Sequence, residues 1–337
     1  MQNGTPRFLV IRRDNIGDLV CTLPLIRQLR IRYPQAWIGA LVTKYNAEVL
    51  QGNPDIDAIF TYQKSKHLEY GESAFWAMVE RIKQLWRLRR THIETVLLPA
   101  SGSQPSARRM AMLIGAKRTI SQDDVPANPQ AMHEVERTSN ILRALKLPES
   151  TPPAAILYPR SELETAMRKR LCAEGGTVLG VHISSRKPSQ RWPADHFIKL
   201  IRRLHNSDPS LRFVLFWSPG DSGNPLHPGD DRKAQTILSA CESLPLMPCP
   251  TGTLAELIAG LSIVDQVICS DGGHMHLAAA VGKPIVCLFG KSDAARWHPW
   301  GLPYRLLQPE SMNASDISVE EVIEALRDLV KGTEGVA

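Results

Sequence analysis

The chain alternates short apolar runs with segments of helical periodicity along its whole length, and this rhythm limits the folds that it can adopt. In the first half, residues 7–11, 37–42, 58–60 and 96–98 are predicted strands, and 22–33, 47–50, 75–90 and 106–114 are predicted helices. In the second half, the predicted strands are 178–183, 213–217, 266–269 and 285–289, and the predicted helices are 194–205, 231–240, 254–260, 275–281 and about 319–330. Strands that alternate with helices form parallel sheets with helices on both faces, so the sequence predicts an α/β fold.

Residues 148–161 contain four prolines and are the best candidate for a linker. The rhythm restarts after them, which predicts two Rossmann-like domains that face each other across a cleft. We predict an N-terminal domain over residues 1–160 and a C-terminal domain over 161–337, with a last helix that could pack back on the N-terminal domain. Sheets of this kind bind ligands at the carboxyl ends of their strands, so the cleft is the predicted site.

The positive charge lies in the first half of the chain. Residues 1–168 carry a net charge of +7 and residues 169–337 a net charge of −1. This asymmetry indicates an anionic partner, such as nucleic acid, an anionic membrane face or a phosphorylated substrate. A solvated basic surface explains the charge equally well.

The remaining composition indicates a cytoplasmic protein. No apolar run reaches the ~18–20 residues that a membrane span needs, and the N-terminus lacks the features of a secretory signal. The six cysteines are scattered without a C-x-x-C pair, which predicts buried thiols and neither a zinc site nor a disulfide framework. They are Cys21, Cys172, Cys241, Cys249, Cys269 and Cys287.

A first motif, RRDNIGDL over residues 12–19, follows the first predicted strand. Gly17 allows a tight turn, and Asp18 is predicted at the N-terminus of the next helix, at the carboxyl edge of the sheet. A capping role for Asp18 is the alternative interpretation. The motif is not G-x-G-x-x-G, which disfavours a dinucleotide site.

A second motif, SSRKPSQRWP over residues 184–193, follows the strand at 178–183. It combines hydroxyl groups, cations and backbone N–H groups ahead of a helix, which is the chemistry that holds a pyrophosphate. The alternative is a basic surface loop.

A third motif, SDGGHMHL over residues 270–277, lies between a strand and an Ala-rich helix. Gly272 and Gly273 let a ligand approach the backbone at the helix start, Asp271 can accept from sugar hydroxyls, and His276 can face the same point. Two histidines and an aspartate also permit a metal, but no further ligand has a recognisable spacing.

Two other acidic pairs are predicted to be structural. Asp55 and Asp57 form a D-x-D pattern like that of metal-dependent glycosyltransferases, but they lie in a turn before a short strand. Asp230 and Asp231 open a helix, where capping is their ordinary role. One of this second pair could still contact a ribose hydroxyl.

Together the three motifs resemble the ADP-heptose:lipopolysaccharide heptosyltransferases of glycosyltransferase family 9, over nearly the whole chain. The resemblance rests on RRDNIGDLVCTLPLIRQLR at the start, HEVERTSNILRALKLP over residues 133–148, RWPADHF, and SDGGHMHLAAAVGKPIVCLFGKSD, which is the most specific. It implies a GT-B fold, an acceptor on the N-terminal domain, a nucleotide sugar on the C-terminal domain, and an inverting transfer without a metal.

The resemblance also implies a role for each matching position. Asp18 corresponds to the proposed general base. The positions implied to bind the donor and its phosphates are Ser184, Ser185, Lys187, Gln190, Arg191, Asp271, Gly272, Gly273 and His276. Gly252 and Thr253 correspond to the nucleobase site, and Asp231 corresponds loosely to a ribose contact. The positions expected to bind the acceptor are Arg12, Arg13, Asn15 and Gly17.

Two positions depart from the family pattern. Gln190 stands where the family usually has Lys, and Arg186, Lys187 or Arg191 could supply the missing charge. Gly272 stands where better-known members have Ser or Thr. Both departures bear on the identity of the donor.

The resulting expectation is a glycosyltransferase that moves a heptose from ADP-heptose to a lipopolysaccharide core, with no tightly bound metal. Its partners would be the nucleotide sugar, a phosphorylated lipid-linked glycan and, loosely, the anionic inner face of the cytoplasmic membrane. The basic residues expected to receive them are Arg27, Arg30, Arg32, Arg87, Arg89, Arg90, Arg108 and Arg109. The alternatives are a GT-B enzyme with another nucleotide sugar or acceptor, a sugar-nucleotide epimerase, and a nucleic-acid-binding protein, for which no motif is present.

Overall fold

The computed structural model describes residues 5–62, 74–126, 128–148, 150–171, 176–223 and 228–334. The chain divides into two compact units, Met1–Ala155 and Ile156–Ala337, where the sequence predicted a boundary after residue 160. Residues 150–160 have no regular secondary structure. We call the two parts unit 1 and unit 2.

Unit 1 contains a five-stranded parallel sheet. Its strands are β1 (Arg7–Ile11), β2 (Trp37–Thr43), β3 (Ala58–Tyr62), β4 (Thr95–Leu98) and β5 (Arg118–Ser121). They are ordered β3-β2-β1-β4-β5, and β1 pairs with both β2 and β4. Strands β2 and β3 therefore extend the sheet on one side of β1, and β4 and β5 extend it on the other side. The topological switch point lies between β1 and β4.

Helices cover both faces of this sheet. They are α1 (Ile16–Val20), α2 (Leu23–Arg32), α3 (Ala74–Arg90), α4 (Pro105–Ile114) and α5 (Glu134–Ser139). Because neighbouring strand residues point to opposite faces, Leu9 packs with the side of the sheet that holds α3 and α4, whereas the Phe8 ring contacts Tyr33 at the end of α2. Continuous apolar runs in the strands follow from this two-sided burial.

Unit 2 contains a six-stranded parallel sheet. Its strands are β6 (Val178–His182), β7 (Arg212–Trp217), β8 (Leu246–Pro250), β9 (Gln266–Ser270), β10 (Ile285–Leu288) and β11 (Tyr304–Leu307). The order is β11-β10-β9-β6-β7-β8, so the switch point lies between β6 and β9.

The helices of unit 2 again lie on both faces of its sheet. They are α6 (Ser161–Leu171), α7 (Ala194–Ser207), α8 (Asp231–Ala240), α9 (Leu254–Ile263), α10 (Gly273–Ala280), α11 (Ala294–Trp297) and α12 (Val319–Glu334). Within unit 2, α12 packs with α7 over β10 and β11, through buried residues such as Val322 and Leu329.

The predicted fold class, α/β with two Rossmann-like parallel sheets, is confirmed. The sequence missed β5, β8 and β11, and each of these lies at the edge of its sheet. Edge strands are less apolar than central ones, and β8 contains Pro248 and Pro250, which only an edge strand tolerates well.

Two further predictions can be compared with the described residues. The five described cysteines are free and buried, as expected, whereas Cys172 lies outside the described residues. No helix in the described parts of the chain has the length and apolar character that a membrane span requires.

Candidate functional site

The loop after β1, at the switch point of unit 1, holds Asp18 in a fixed position. Asp18 is the third residue of α1, and Asn15 rather than Asp18 is the N-cap. Asp18 Oδ2 accepts hydrogen bonds from the backbone N and the Nδ2 of Asn15 at 3.2 and 3.0 Å, and Oδ1 accepts one from Arg12 Nη2 at 2.7 Å. The expected capping contribution is therefore present, and the side chain of Asp18 still keeps 16% of its surface exposed.

Arg12, which was expected to bind the acceptor, is instead buried at the centre of an ionic cluster. Only 2% of it is exposed. It contacts Asp14, Asp18 and Glu134 at 3.1, 2.7 and 3.0 Å. Burial by itself would lower the pKa of Arg12, but the three carboxylates outweigh burial and raise it, Asp18 most strongly. The arginine is therefore a permanent cation that holds Asp18 from the side of the protein core.

Glu134 is a site residue that reasoning from the sequence missed. It is the first residue of α5, fully buried, and its Oε1 contacts Arg12 across 122 positions of sequence. The preceding residue, His133, caps α5 through its Nδ1, which accepts from the backbone N of Val135. In the sequence, the HEVER segment contributes to the family resemblance but does not mark Glu134 as a site residue. No local signal marks Glu134 as buried, because the residues around it in the sequence are mostly polar or charged.

A cavity of about 300 Å³ opens beside this loop. It lies between the ends of β1, β3 and β4 and is lined by Arg13, Asp14, Tyr62, Ser103, Gln104, Pro105 and Ser106. The guanidinium of Arg13 lies 4.8 Å from the centre of the Tyr62 ring and donates to Ser106 Oγ at 2.7 Å. The wall is therefore polar, with one cation (Arg13) and one carboxylate (Asp14), and it lies at the switch point, where such sheets bind ligands.

In unit 2, the loop after β6 carries the predicted phosphate-binding residues. Ser184 Oγ accepts from the backbone N of Ser218, and the backbone oxygen of Ser185 accepts from Arg191 Nε at 3.0 Å. Lys187 is exposed. Arg191, one of the cations that could have replaced the family lysine, is thus used to hold its own loop.

Lys233 on α8 is a second residue that the sequence did not reveal. Its Nζ donates to the backbone oxygens of Ile183 and Trp192 at 2.9 and 2.7 Å, which braces both ends of the same loop. Burial lowers the pKa of Lys233 to about 8, partly opposed by Asp230. A lysine on an ordinary amphipathic helix gives no sequence signal for this role.

Gln190 and Asp271 join the second and third motifs. Gln190 Nε2 donates to Asp271 Oδ2, and Ser185 Oγ lies 3.4 Å from Gln190 Oε1. All three side chains are buried. Burial raises the pKa of Asp271, although a hydrogen bond with Ser292 and the charge of Lys187 oppose the change. The neutral amide at position 190 therefore contacts the acidic residue directly, at the switch point between β6 and β9.

The start of α10 explains the second departure from the family pattern. The ring of His274 stacks on His182 with 4.0 Å between centroids and 8° between planes, and its Nε2 lies 2.8 Å from the backbone oxygen of Ser270. A Cβ on Gly272 would approach the His274 ring to 2.7 Å. Glycine therefore stands at 272 because His274 occupies the space that a side chain there would need.

The other end of the third motif is also enclosed. Gly273 is the first residue of α10, and His276 is buried with its ring 6.1 Å from that of Trp297 on α11. The backbone comes close nearby, because a Cβ on Gly290 would lie 1.9 Å from the backbone oxygen of Ser189. The loops after β6, β9 and β10 thus pack tightly around the switch point.

The stacked histidines predict a stability loss in mild acid. Burial lowers the pKa of His274 to about 4 and that of His182 well below its usual value, the latter also through the charges of His274 and Lys233. The unfolded chain therefore takes up protons first as the pH falls, so this stability is present above pH ~6.5 and is lost below it. From pH 6.5 to 5 we expect unit 2 to lose roughly 1–2 kcal/mol through His274, and His182 adds to the loss in the same direction.

Urea denaturation at pH 6.5 and pH 5 measures this loss. Most carboxylates stay ionised over that interval. His274→Gln should therefore reduce the dependence of the free energy of unfolding on pH. His92→Gln, which changes an exposed histidine of unit 1, should leave it unchanged. An equal slope in the wild type and the His274 variant would contradict the prediction.

The residues predicted to contact the nucleoside have local partners. Asp231 accepts from Trp217 Nε1 at 2.8 Å and from the backbone N of Gly220 at 2.9 Å. Glu256 caps α9 by accepting from the backbone N of Gly252 and of Thr253. These contacts fix the loops after β7 and β8, and the ribose and nucleobase roles stay predictions.

The D-x-D pair stabilises the fold of unit 1. Asp55 accepts from Arg27 at 2.8 Å, and Asp57 accepts from Arg30 and from the backbone N of Ile38, both at 2.7 Å. Two of the arginines expected to receive an anionic partner are thus already paired. Among the described residues, no group of three or more His, Cys, Asp or Glu side chains is arranged to hold a metal ion.

Comparison with solved structures identifies the class of protein. A glycosyltransferase of family 9 from Veillonella parvula DSM 2008 superposes with a TM-score of 0.79 at 19% identity, covering 98% of this chain and 99% of that one. The E. coli ADP-heptose lps heptosyltransferase II gives a TM-score of 0.74 at 21% identity, with 97% and 99% covered. The fold of this chain is therefore the GT-B fold of these glycosyltransferases.

The sequence comparison identifies the family. The model for glycosyltransferase family 9 (heptosyltransferase) matches residues 113–323. The lipopolysaccharide heptosyltransferase 2 of Salmonella typhimurium is 24% identical over 365 residues, covering 98% of this chain and all of that protein. The chain belongs to glycosyltransferase family 9, and it is a glycosyltransferase.

Proposed function

We propose that this enzyme transfers a heptose from ADP-heptose to a lipopolysaccharide core acceptor, with inversion at the anomeric carbon and Asp18 as the general base. Membership of glycosyltransferase family 9 and the similarity to lipopolysaccharide heptosyltransferases support this reaction. The observation that carries it is the geometry of Asp18. A carboxylate offers about four lone-pair positions. Donors among the described residues use three of them, and the fourth, on Oδ1, would accept from the acceptor hydroxyl.

Proton transfer at Asp18 follows from this arrangement. The acceptor hydroxyl would donate to Asp18 Oδ1 and lose its proton there as its oxygen attacks the anomeric carbon. Arg12 and Asn15 hold the carboxylate in one orientation, which keeps the base within hydrogen-bond reach. Because Arg12 is 2% exposed, we revise its expected contact with the acceptor to a positioning role for Asp18.

The acceptor would occupy the cavity beside the loop that carries Asp18. Arg13, Gln104 and Ser106 offer a cation, an amide and a hydroxyl to its sugars and phosphates, and the Tyr62 ring offers an apolar face. Asn15 is exposed on the same loop, whereas Gly17 is buried within α1, where the sequence predicted a tight turn. The charge of Arg13 suits a phosphorylated glycan better than a neutral one.

The nucleotide sugar would bind unit 2 at the switch point between β6 and β9. Ser185, Lys187 and the start of α10 would stabilise the charge that develops on the leaving diphosphate. Asp271 would accept from sugar hydroxyls. Cations and backbone N–H groups can do the electrostatic work that other glycosyltransferases give to a metal ion, so we propose transfer without a tightly bound metal.

The direct test supplies the purified enzyme with ADP-heptose and a lipopolysaccharide core that lacks the heptose, and measures ADP release and the mass of the product. We expect one heptose to be added per acceptor, with an anomeric configuration opposite to that in the donor. EDTA should not change the amount of product. A thermal-shift series with ADP, UDP, GDP and TDP tests the base, since a ligand at 100 times its Kd stabilises by about 2.7 kcal/mol.

The neutral Gln190 favours one alternative, a GT-B transferase with a different nucleotide sugar. Stabilisation by a base other than adenine, with no product from ADP-heptose, would support that alternative. Release of a free or epimerised sugar without any acceptor would instead indicate an epimerase.

We also propose that the enzyme works in the cytoplasm at the inner face of the membrane.

A further inference from the structure

The C-terminal part of α3 and the adjacent α4 expose four large apolar side chains in unit 1. Ile82 and Trp86 are 62% and 54% exposed, and they lie one turn apart on the same face of α3. Met112 and Leu113, at the end of α4, are 69% and 50% exposed. Single exposed apolar residues are ordinary, but a group of four on neighbouring helices indicates an interaction surface.

Contacts hold these two pairs of residues in one surface. Arg89 Nε donates to the backbone oxygen of Leu113 at 2.7 Å, which ties the end of α3 to the end of α4. The guanidinium of Arg90 lies 3.3 Å from the centre of the Trp86 ring. We call Ile82, Trp86, Met112 and Leu113, with the arginines around them, the α3–α4 patch.

The two chain segments that carry the patch contain only basic charged residues. Residues 82–90 and 105–118 contain no Asp or Glu. The cations of these two segments are Lys83, Arg87, Arg89, Arg90, Arg108, Arg109, Lys117 and Arg118. Arg108 pairs with Asp124 and Lys117 with Glu94, whereas Arg87 and Arg109 are exposed and make no ion pair within the described residues. Apolar side chains surrounded by cations complement an anionic lipid surface.

We propose that the α3–α4 patch is a membrane-docking surface, in which Ile82, Trp86, Met112 and Leu113 enter the interface of an anionic bilayer and the arginines bind its headgroups. Tryptophan beside arginine suits this interface, because the ring is amphipathic and the cation meets phosphate. The proposal refines the proposed function by giving it a lipid partner and a surface, but vesicle binding needs neither donor nor acceptor and is tested separately.

The opposite face of the unit 1 sheet supplies matched controls. Ile31 is 63% exposed on α2, and Arg32 next to it is also exposed. Ile31→Ser with Arg32→Gln therefore removes the same kinds of side chain from another surface. Ile82→Ser with Trp86→Ser tests the apolar part of the patch, and Arg87→Gln with Arg109→Gln tests its charge. None of these residues lies in the loop that holds Asp18.

Co-sedimentation with vesicles of phosphatidylethanolamine and phosphatidylglycerol, against vesicles of phosphatidylcholine, measures the binding. We expect the wild type to bind the anionic vesicles and to lose binding as salt rises. Each arginine removed should weaken binding about fivefold, and the double apolar variant should weaken it roughly tenfold or more. The control variant should stay within about twofold of the wild type.

Three outcomes would overturn the proposal. They are no binding to anionic vesicles at low salt, equal loss in the control variant, and a change in self-association instead of lipid binding, which would make the patch a protein interface. Transfer to a soluble, delipidated acceptor should persist in the patch variants. If the wild type does not transfer heptose to that acceptor, the result would count against the proposed function. It would not affect the conclusion on membrane docking.

Discussion

Asp18→Asn should lose ~10²- to 10⁴-fold in kcat, the contribution that a placed general base makes. An amide cannot take the proton of the acceptor hydroxyl. The amide also keeps only one oxygen, so its N–H₂ group has to face the donors of either Asn15 or Arg12, and one of these contacts is lost as well. Nucleotide binding should be unchanged, because every predicted donor-binding residue lies in unit 2.

Asp14→Asn is the matched control for this variant. Asp14 contacts the same arginine at 3.1 Å, but it is 41% exposed and lies outside the capping box. We expect this change to cost less than about tenfold in kcat, since it removes a charge near Arg12 without removing the base. Single-turnover rates with saturating donor and a thermal shift with ADP separate chemistry from binding. Full transfer by Asp18→Asn would remove Asp18 from the mechanism.

Arg12→Met should destabilise unit 1 by roughly 3–5 kcal/mol, the usual result of removing one partner from a buried ion pair. Glu134 is fully buried, and Asp18 is mostly so. Without the guanidinium, the Glu134 carboxylate loses the cation that compensates its buried charge, which costs stability. Arg13→Met removes a neighbouring, exposed hydrogen bond to Ser106. This change should lower the free energy of unfolding by no more than about 1 kcal/mol.

A double variant distinguishes the buried charge from lost packing. Arg12→Met with Glu134→Leu leaves no unpaired charge from that contact, so it should recover much of the stability lost in the single variant. It should not recover activity, because Asp18 still lacks its cation. Urea denaturation followed by circular dichroism measures the first quantity and single-turnover transfer the second. A loss below about 1 kcal/mol in the single variant would contradict the buried ionic cluster.

The elements of the fold could be largely predicted from local sequence. The central strands are buried on both faces and therefore read as continuous apolar runs, and β1, β4, β6 and β9 were all predicted within two residues. The edge strands β5, β8 and β11 were not, because edge positions place weaker demands on residue type. The order of the strands in each sheet also required the tertiary structure.

What the sequence determined by itself is the β-α rhythm, the two Rossmann-like halves and the three motifs, because each depends on residues close together in the chain. What only the tertiary structure decided is which residues meet. Arg12 finds Glu134 across 122 positions, and Gln190 finds Asp271 across 81. Lys233 likewise braces a loop about 40 to 50 positions away. Such contacts are set by the packing of strand ends at a switch point. A charged or amide side chain in the sequence shows only that it will need a partner if it becomes buried.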